Sequence, residues 1–414
     1  MLSLQSRHRL DILFRHFAYA LFASAWASDA DGMSSRLEAG WSPDGRGLAC
    51  RSVRSGFHLL LEALALPAGG EVLVSAVTHP DMIRILEAHG LVAVPVDLDT
   101  ATLAPLVDRA EQLVTPHTEA ILIAHLFGGR IDLAPVSAFA QRHGLLLWED
   151  CAQAFTGPGD TGDLRADISM YSFGALKTCT ALGGALLKVK DTAVLDRMRM
   201  VQSRWRRQGR RAYAAAVLKF FAFSLTTRPI PYGLLARAFG RDFDRVVNNS
   251  VRAFRPGPLL PQLELQPSAP LLATLAYRLR TFDAARLRRR ARAGEWLAAH
   301  LPTDVNLPGN RMESRTHWLF PVVSAQPDSL IRACRQVGID AARAASSVTV
   351  VDPPADRPES EPVAARRMMR GLVFLPAYSE RPRRAPARLV AAIGGTTARP
   401  YAPVEAAPRE VRHA

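Results

Sequence analysis

Lysine is almost missing from this chain. Only Lys177, Lys188, Lys190 and Lys219 occur, against 48 arginines. The formal net charge of +14 is therefore carried by arginine. Apart from runs such as Arg204-Trp205-Arg206-Arg207 and Arg288-Arg289-Arg290, those arginines are scattered. Scatter of this kind reads as compositional bias rather than a nucleic-acid footprint. No nucleic-acid partner is expected, whereas an acidic or phosphorylated small substrate is. Cysteine is also scarce: Cys50, Cys151, Cys179 and Cys334 lie far apart with no CxxC pair. That excludes a zinc ribbon and a disulfide framework, predicts no metal, and suits a reducing cytoplasm. No apolar run reaches the roughly 18 residues of a spanning helix, and no internal repeat is present.

The N-terminus carries an apolar stretch, Phe17 to Ala27, ending Ala-Trp-Ala with Arg7 and Arg9 upstream. It superficially resembles a secretory signal. Asp11, Arg15 and His16 interrupt it, and Leu10, Leu13, Phe14, Phe17, Ala18 and Leu21 follow helical spacing instead. A docking or surface amphipathic helix is predicted.

The 414 residues, 48% hydrophobic, allow a large core and two domains. Between 52 and 200 strands alternate with helices. Strands read at Glu71–Val77, Leu91–Val96, Ala120–Leu126 and Leu145–Trp148, with helices near 53–66, 80–89, 102–112 and 132–143. This α/β alternation predicts a parallel sheet covered on both faces. Ile168–Phe173 and Gly183–Val189 follow as two more strands with no room for a helix between them. A long helix is predicted from 267 to 300, then a strand at Thr316–Val323, a helix at Asp328–Val337 and a strand at Leu372–Leu375. The stretch 352–367 reads as a surface loop. The chain divides into a helical arm (1–45), a large domain (46–204), an apolar helical insertion (205–265), a long helix with a small C-terminal domain (266–395) and a disordered tail (396–414).

Chemistry concentrates at strand ends. Leu145-Leu146-Leu147-Trp148 runs into Glu149-Asp150. Ligands of open α/β sheets bind at this carboxyl edge. An aspartate there can pair with a cationic ring nitrogen, or it can cap the next helix. Ser172-Phe173-Gly174-Ala175-Leu176-Lys177 follows a strand, and Gly183-Gly184 opens another. A lysine on that connection, among small and apolar neighbours, is placed to bond an aldehyde as a Schiff base. Ser172 offers a hydroxyl to a phosphate. Ser52-Val53-Arg54-Ser55 opens a helix whose first amides form an anion site or an ordinary serine cap.

The order of these pieces resembles the DegT–StrS type of sugar aminotransferases, fold-type I enzymes that use pyridoxal 5'-phosphate (PLP). The resemblance rests on Pro67-Ala68-Gly69-Gly70-Glu71-Val72, Ala124-His125-Leu126-Phe127-Gly128, Glu149-Asp150-Cys151-Ala152-Gln153-Ala154, Tyr171-Ser172-Phe173 through Lys177, and Leu182-Gly183-Gly184-Ala185. Looser matches follow at His317-Trp318-Leu319-Phe320-Pro321 and Leu375-Pro376.

The resemblance implies a mostly parallel seven-stranded sheet with a small C-terminal α/β domain, a homodimer, and transfer of an amino group from a donor to a keto or aldehyde acceptor such as a sugar nucleotide. It implies Lys177 as the cofactor lysine and Asp150 as the partner of the pyridine nitrogen. Gln153 would lie near the phenolic oxygen, Ser172 would bind phosphate, and Arg54-Ser55 would form the phosphate cradle. His79 stands where the family places a ring over the cofactor, and His125 matches a family histidine. A family glycine is replaced by Val53, and the family's partner-donated asparagine loop has no counterpart in the enlarged 205–262 region.

Within the same family a PLP-dependent sugar dehydratase is the close rival, but such members typically lack the lysine, so Lys177 favours transamination. Two readings of other classes remain. One is a catalytically silent member with a binding role. The other is an enzyme at the membrane surface, acting on a lipid-linked acceptor and held there peripherally through the basic, aromatic segment 205–240.

Overall fold

The computed structural model describes residues 3–240, 259–302, 305–343 and 348–376, with Phe243, Val390 and Ile393 besides. The predicted tail at 396–414 and residues 244–258 of the insertion lie outside the described residues.

A seven-stranded sheet forms the centre. Its strands are β1 (Gly47–Cys50), β2 (Glu71–Ser75), β3 (Val92–Val96), β4 (Thr118–Ala124), β5 (Leu146–Asp150), β6 (Ile168–Ser172) and β7 (Ala185–Val189). Their spatial order is β1-β7-β6-β5-β4-β2-β3. All run one way except β7, which is antiparallel to both its neighbours. The absence of a helix between Ser172 and Ala185 forces that reversal, because a parallel pair needs a long crossover. The strand β1 is not evident from the sequence, since Gly-Leu-Ala-Cys carries little strand propensity.

Helices cover both faces. The first two are α1 (Phe14–Trp26) and α2 (Ala30–Trp41); α3 (Val53–Leu64), α4 (Pro80–Ala88), α5 (Val107–Leu113) and α6 (Ala134–His143) follow. Next come α7 (Thr192–Ser203), α8 (Arg210–Thr226) and α9 (Pro229–Phe239). Short-range chemistry sets several ends. The Ser52 hydroxyl accepts from Ser55 N at the start of α3, Asp191 accepts from Ala193 N at the start of α7, and α6 stops at Gly144 with φ +66°. Helix α3 is buried nearly all round between the sheet and α4 and α7. Helices α1 and α8 pack together and onto α10 (Ala269–Arg280).

The expected single helix over 267–300 is two, α10 and α11 (Ala284–His300). The apolar pattern runs through the break. Asp283 makes it, by turning its carboxylate back onto Arg286 N as a new N-cap. The C-terminal domain pairs β8 (Phe320–Val323) and β9 (Ala342–Arg343) on either side of β10 (Leu372–Leu375). Helices α12 (Pro327–Gln336) and α13 (Val363–Gly371) belong to it. The expected strand from Thr316 is regular only from Phe320. The expected loop at 352–367 is cut short by α13, whose first amides, Ala364 N and Ala365 N, donate to Asp97 at 2.8 and 2.9 Å.

Candidate active site

The carboxyl ends of β4, β5 and β6 lie side by side, with Ala124 opposite Asp150 and Asp150 opposite Met170. Side chains alternate along β5, so Trp148 and Asp150 share one face and Glu149 takes the other. Trp148 packs on Phe57 of α3. Asp150 therefore stands on the α3 side of the sheet and Glu149 beneath it.

Those two adjacent carboxylates live in opposite environments. Asp150 accepts from Ala152 N at 2.9 Å and is buried. Burial pushes its carboxyl above the ordinary value, against the Ala152 amide and the positive charge of Lys177. Asp150 ends the strand next to β6, and Lys177 lies on the connection that leaves β6 at this edge. Glu149 is fully buried and takes His125 Nε2 at 2.8 Å, Arg130 Nη1 at 2.9 Å, Ser169 Oγ at 2.6 Å and Asp163 N at 3.0 Å. Burial raises its pKa too, but His125, Arg130 and Ser169 outweigh it and hold the carboxyl below the ordinary range. His125 Nδ1 accepts from Ile131 N, which leaves the proton on Nε2 for Glu149. Although His125, Glu149 and Cys151 cluster within 4.8 Å, the Arg130 cation and the other donors fill the carboxylate. The trio is a hydrogen-bond network, not a cation site.

Lys177 lies on the connection between β6 and β7. Its Nζ is 4.4 Å from the centre of the Trp318 ring, and Trp318 Nε1 donates to Leu176 O at 2.9 Å. A Cβ placed on Gly174 would stand 3.5 Å from Ser172 Oγ and 3.9 Å from Lys177 Cγ. The serine hydroxyl and the lysine stem thus converge beside a glycine that leaves the space open. The other lysines sit elsewhere. Lys188 and Lys190 fall toward the far end of β7, paired with Asp44 and Asp167, and Lys219 is on α8.

Gln153 Oε1 accepts from Phe127 N at 2.9 Å, so its Nε2 is the end available as a donor. The first turn of α3 opens next to β1, two strands from Ser172. There Ser55 is capped by Ser52, while Arg54 is held by Asp81 at 2.6 Å. His79 caps α4, with Nδ1 accepting from Asp81 N at 3.1 Å. Thr78, beside it, has a buried hydroxyl with no partner among the described residues. The sequence patterns gave no role at the lysine loop to Trp318, Arg290, Tyr213, Arg278 or Asp11. All of them touch the lysine loop from distant elements, and only spacing within one element is readable in a sequence.

Residues 42–224 match the DegT/DnrJ/EryC1/StrS aminotransferase family. Among curated relatives, the GDP-perosamine synthase of Caulobacter vibrioides is 31% identical over 157 residues, covering 37% of this chain and 42% of that protein. The UDP-N-acetyl-3-dehydro-alpha-D-glucosamine 3-aminotransferase of Acidithiobacillus ferrooxidans is 34% identical over 165 residues, covering 38% and 44%. The chain thus spans less than half the length of these relatives. The fold extends further. The aminotransferase TlmJ from Streptoalloteichus hindustanus superposes with TM-score 0.66 at 18% identity, over 96% of this chain and 98% of that one. NtdA from Bacillus subtilis, solved with bound cofactor PMP, gives 0.67 at 14% identity over 94% and 83%.

Proposed function

With residues 42–224 matching the DegT/DnrJ/EryC1/StrS aminotransferase family, we propose that this chain is a PLP-dependent aminotransferase. It would move an amino group onto a keto or aldehyde carbon of a sugar nucleotide or related polyol. The observation that carries the reading is the placement of Asp150 and Ser172 at the ends of adjacent strands, with Lys177 beside Ser172 on the connection that follows, in a chain with three other lysines placed elsewhere.

The donor set fits PLP. A primary amine, a buried carboxylate in need of a cation, and hydroxyls beside a helix N-terminus match its aldehyde, ring nitrogen and phosphate. When bound, PLP supplies an electron-withdrawing ring that stabilises negative charge on the substrate carbon. Lys177 Nζ would hold the group and would take and return a proton at the substrate carbon. Asp150 would keep the ring nitrogen protonated. Ser172, Ser55 and the first amides of α3 would take the phosphate, and Arg54, tied to Asp81, would belong to the same cradle. Gln153 Nε2 would donate to the phenolic oxygen, and His79 would stand over the ring. The homodimer and the domain division at 46, 205, 266 and 396 belong to the same reading.

The test has two parts. Protein reconstituted with PLP and reduced with borohydride should carry its label on the peptide containing Lys177. It should also aminate keto sugars linked to GDP or UDP, the classes named in its relatives. A label elsewhere, or none, removes the assignment.

A peripheral membrane site on the outer faces of α1, α8 and α9 is a second reading, and one observation favours it. Phe14, Phe22, Trp26, Leu218, Leu225, Ile230 and Leu234 are exposed there. Residues 205–240 carry six arginines and Lys219 but no Asp or Glu. Asp31 of α2 pairs with Arg207 at 2.7 Å, and the other cations outnumber it. A two-fold contact would set this basic segment against itself, whereas anionic headgroups would neutralise it. Among the described residues no helix is long and apolar enough to cross a membrane. Flotation with anionic but not neutral vesicles, weakened by salt, is expected. No binding to either, with a dimer burying these faces, would leave the homodimer as their occupant.

A further inference from the structure

The loop that carries Lys177 is clamped by elements remote in sequence. Trp318 holds Leu176 O, Arg290 Nη2 holds Thr178 Oγ1 at 3.2 Å, Arg278 Nε holds Thr180 O at 2.9 Å and the Tyr213 hydroxyl holds Ala181 O at 2.9 Å. The contact nearest the lysine in this set that fixes a backbone amide comes from the N-terminus. Cys179 N donates to Asp11 Oδ2 at 2.7 Å. Cys179 has φ +59° and Leu182 φ +64°. Left-handed backbone at residues with side chains is costly and persists only when surrounding contacts dictate it.

Asp11 is itself fixed. Arg286 Nη1 meets Oδ1 at 2.8 Å, and the buried Arg278 guanidinium donates to Asp11 O at 2.6 Å. His16, whose ring nitrogens face Arg278, is kept neutral there: burial and the arginine lower its pKa to about 3. The segment is anchored at its other end on the C-terminal domain. Gln5 N donates to Gly338 O at 2.9 Å, and Asp340 N donates to Gln5 O at 3.0 Å. Arg7 Nη1 meets the fully buried Asp340 at 2.8 Å, which also takes the Tyr232 hydroxyl at 2.7 Å. One segment, residues 4–12, thus runs from the C-terminal domain to the lysine loop, with a turn at Arg7-His8. It lies outside the segment that matches the family.

We propose that Asp11 is a positioning residue for Lys177: its carboxylate fixes the turn at Cys179, and residues 4–12 form a strap that couples the C-terminal domain to the direction of the lysine amine. The proposal rests on the reading of Lys177 as the reacting lysine. Borohydride mapping of the wild type therefore comes first, and its failure would remove that reading before the strap is tested.

Asp11→Ala and Asp11→Asn are then compared. The alanine removes both the acceptor and the charge, whereas the asparagine keeps an acceptor for Cys179 N. Amide exchange at 178–181, read without cofactor, should speed up about tenfold in the alanine variant. The pH midpoint of the visible band of the PLP-loaded protein should move by about half a unit. Turnover should fall about tenfold or more with KM for both substrates little changed, since small misplacements of a reacting group are costly. The asparagine variant should recover part of each change. Arg286→Ala, which loosens the clamp from the solvent side, should shift the same readouts in the same direction and by less, and it serves if Asp11→Ala does not fold. A loss of thermal stability with band midpoint and turnover unchanged would reduce Asp11 to a fastener and overturn the proposal.

Discussion

Glu149 and Asp150 are neighbours in sequence, yet removing their charges should have opposite consequences. Glu149→Gln keeps one acceptor oxygen and turns the other into an amide donor facing donors. It also withdraws one counter-charge from the largely buried Arg130, which retains Asp160 and Tyr171. Breaking a buried ion pair costs about 3–5 kcal/mol. Because Arg130 is not wholly stranded, the low end applies, at about 3 kcal/mol. The pH dependence follows from the depressed carboxyl. Its folded pKa lies below the ordinary 4.5, so the stabilisation is complete above that value and is lost as the pH falls below it. The gap between wild type and variant should be constant through neutral pH and close on acidification.

Asp150→Asn keeps an oxygen for Ala152 N and removes a charge that burial disfavours. The apoprotein should be as stable as wild type or more so, and PLP should still bind. Turnover should nevertheless fall by orders of magnitude, because the ring loses the carboxylate that keeps it protonated. Urea melts of the two apoproteins, run beside turnover of the loaded forms, separate these effects. If Glu149→Gln cost under about 1 kcal/mol, or if Asp150→Asn were the more destabilising, the alternation of faces along β5 would not be what divides structure from chemistry. No helix follows Asp150 before β6, so full activity in Asp150→Asn would reduce that residue to an acceptor for the Ala152 amide in a turn.

Lys177→Arg should retain charge but give neither borohydride-fixed label nor turnover, because a guanidinium forms no Schiff base; activity in this variant, measured as donor-dependent amination, would contradict the role. Gly294→Ala places a methyl 2.2 Å from the His317 ring. It should cost about 1–3 kcal/mol by overpacking, and an unchanged melting temperature would show that the ring moves freely. Asp97→Ala removes the carboxylate that caps α13 and should cost about 1–2 kcal/mol, with faster amide exchange at 364 and 365; unaltered exchange there would mean that the cap contributes nothing.

The sequence by itself determined the alternation of strands and helices from 52 to 200, because buried strands and amphipathic helices impose their periods on the local order of apolar residues. It also showed that no crossover helix fits between Ser172 and Ala185, and the structure draws the consequence by running β7 antiparallel to its neighbours. Lys177 stood out because lysine is so rare, and Asp150 because an acidic residue follows a buried strand. Tertiary structure decided what depends on distance in space. Whether Glu149 or Asp150 faces α3 follows from how β5 sits in the sheet. The start of α13 is set by Asp97, more than 250 residues away, so local pattern read that stretch as loop. The break at Asp283 was written in the sequence as a capping residue, but the continuous apolar stripe masked it until the packing of α10 and α11 separated them. The fastening of the lysine loop by Asp11, Tyr213, Arg278, Arg290 and Trp318 had no local signal at all. Each is a single polar or aromatic side chain whose partner is a backbone atom or hydroxyl on a remote segment, and such partners have no fixed spacing along the chain.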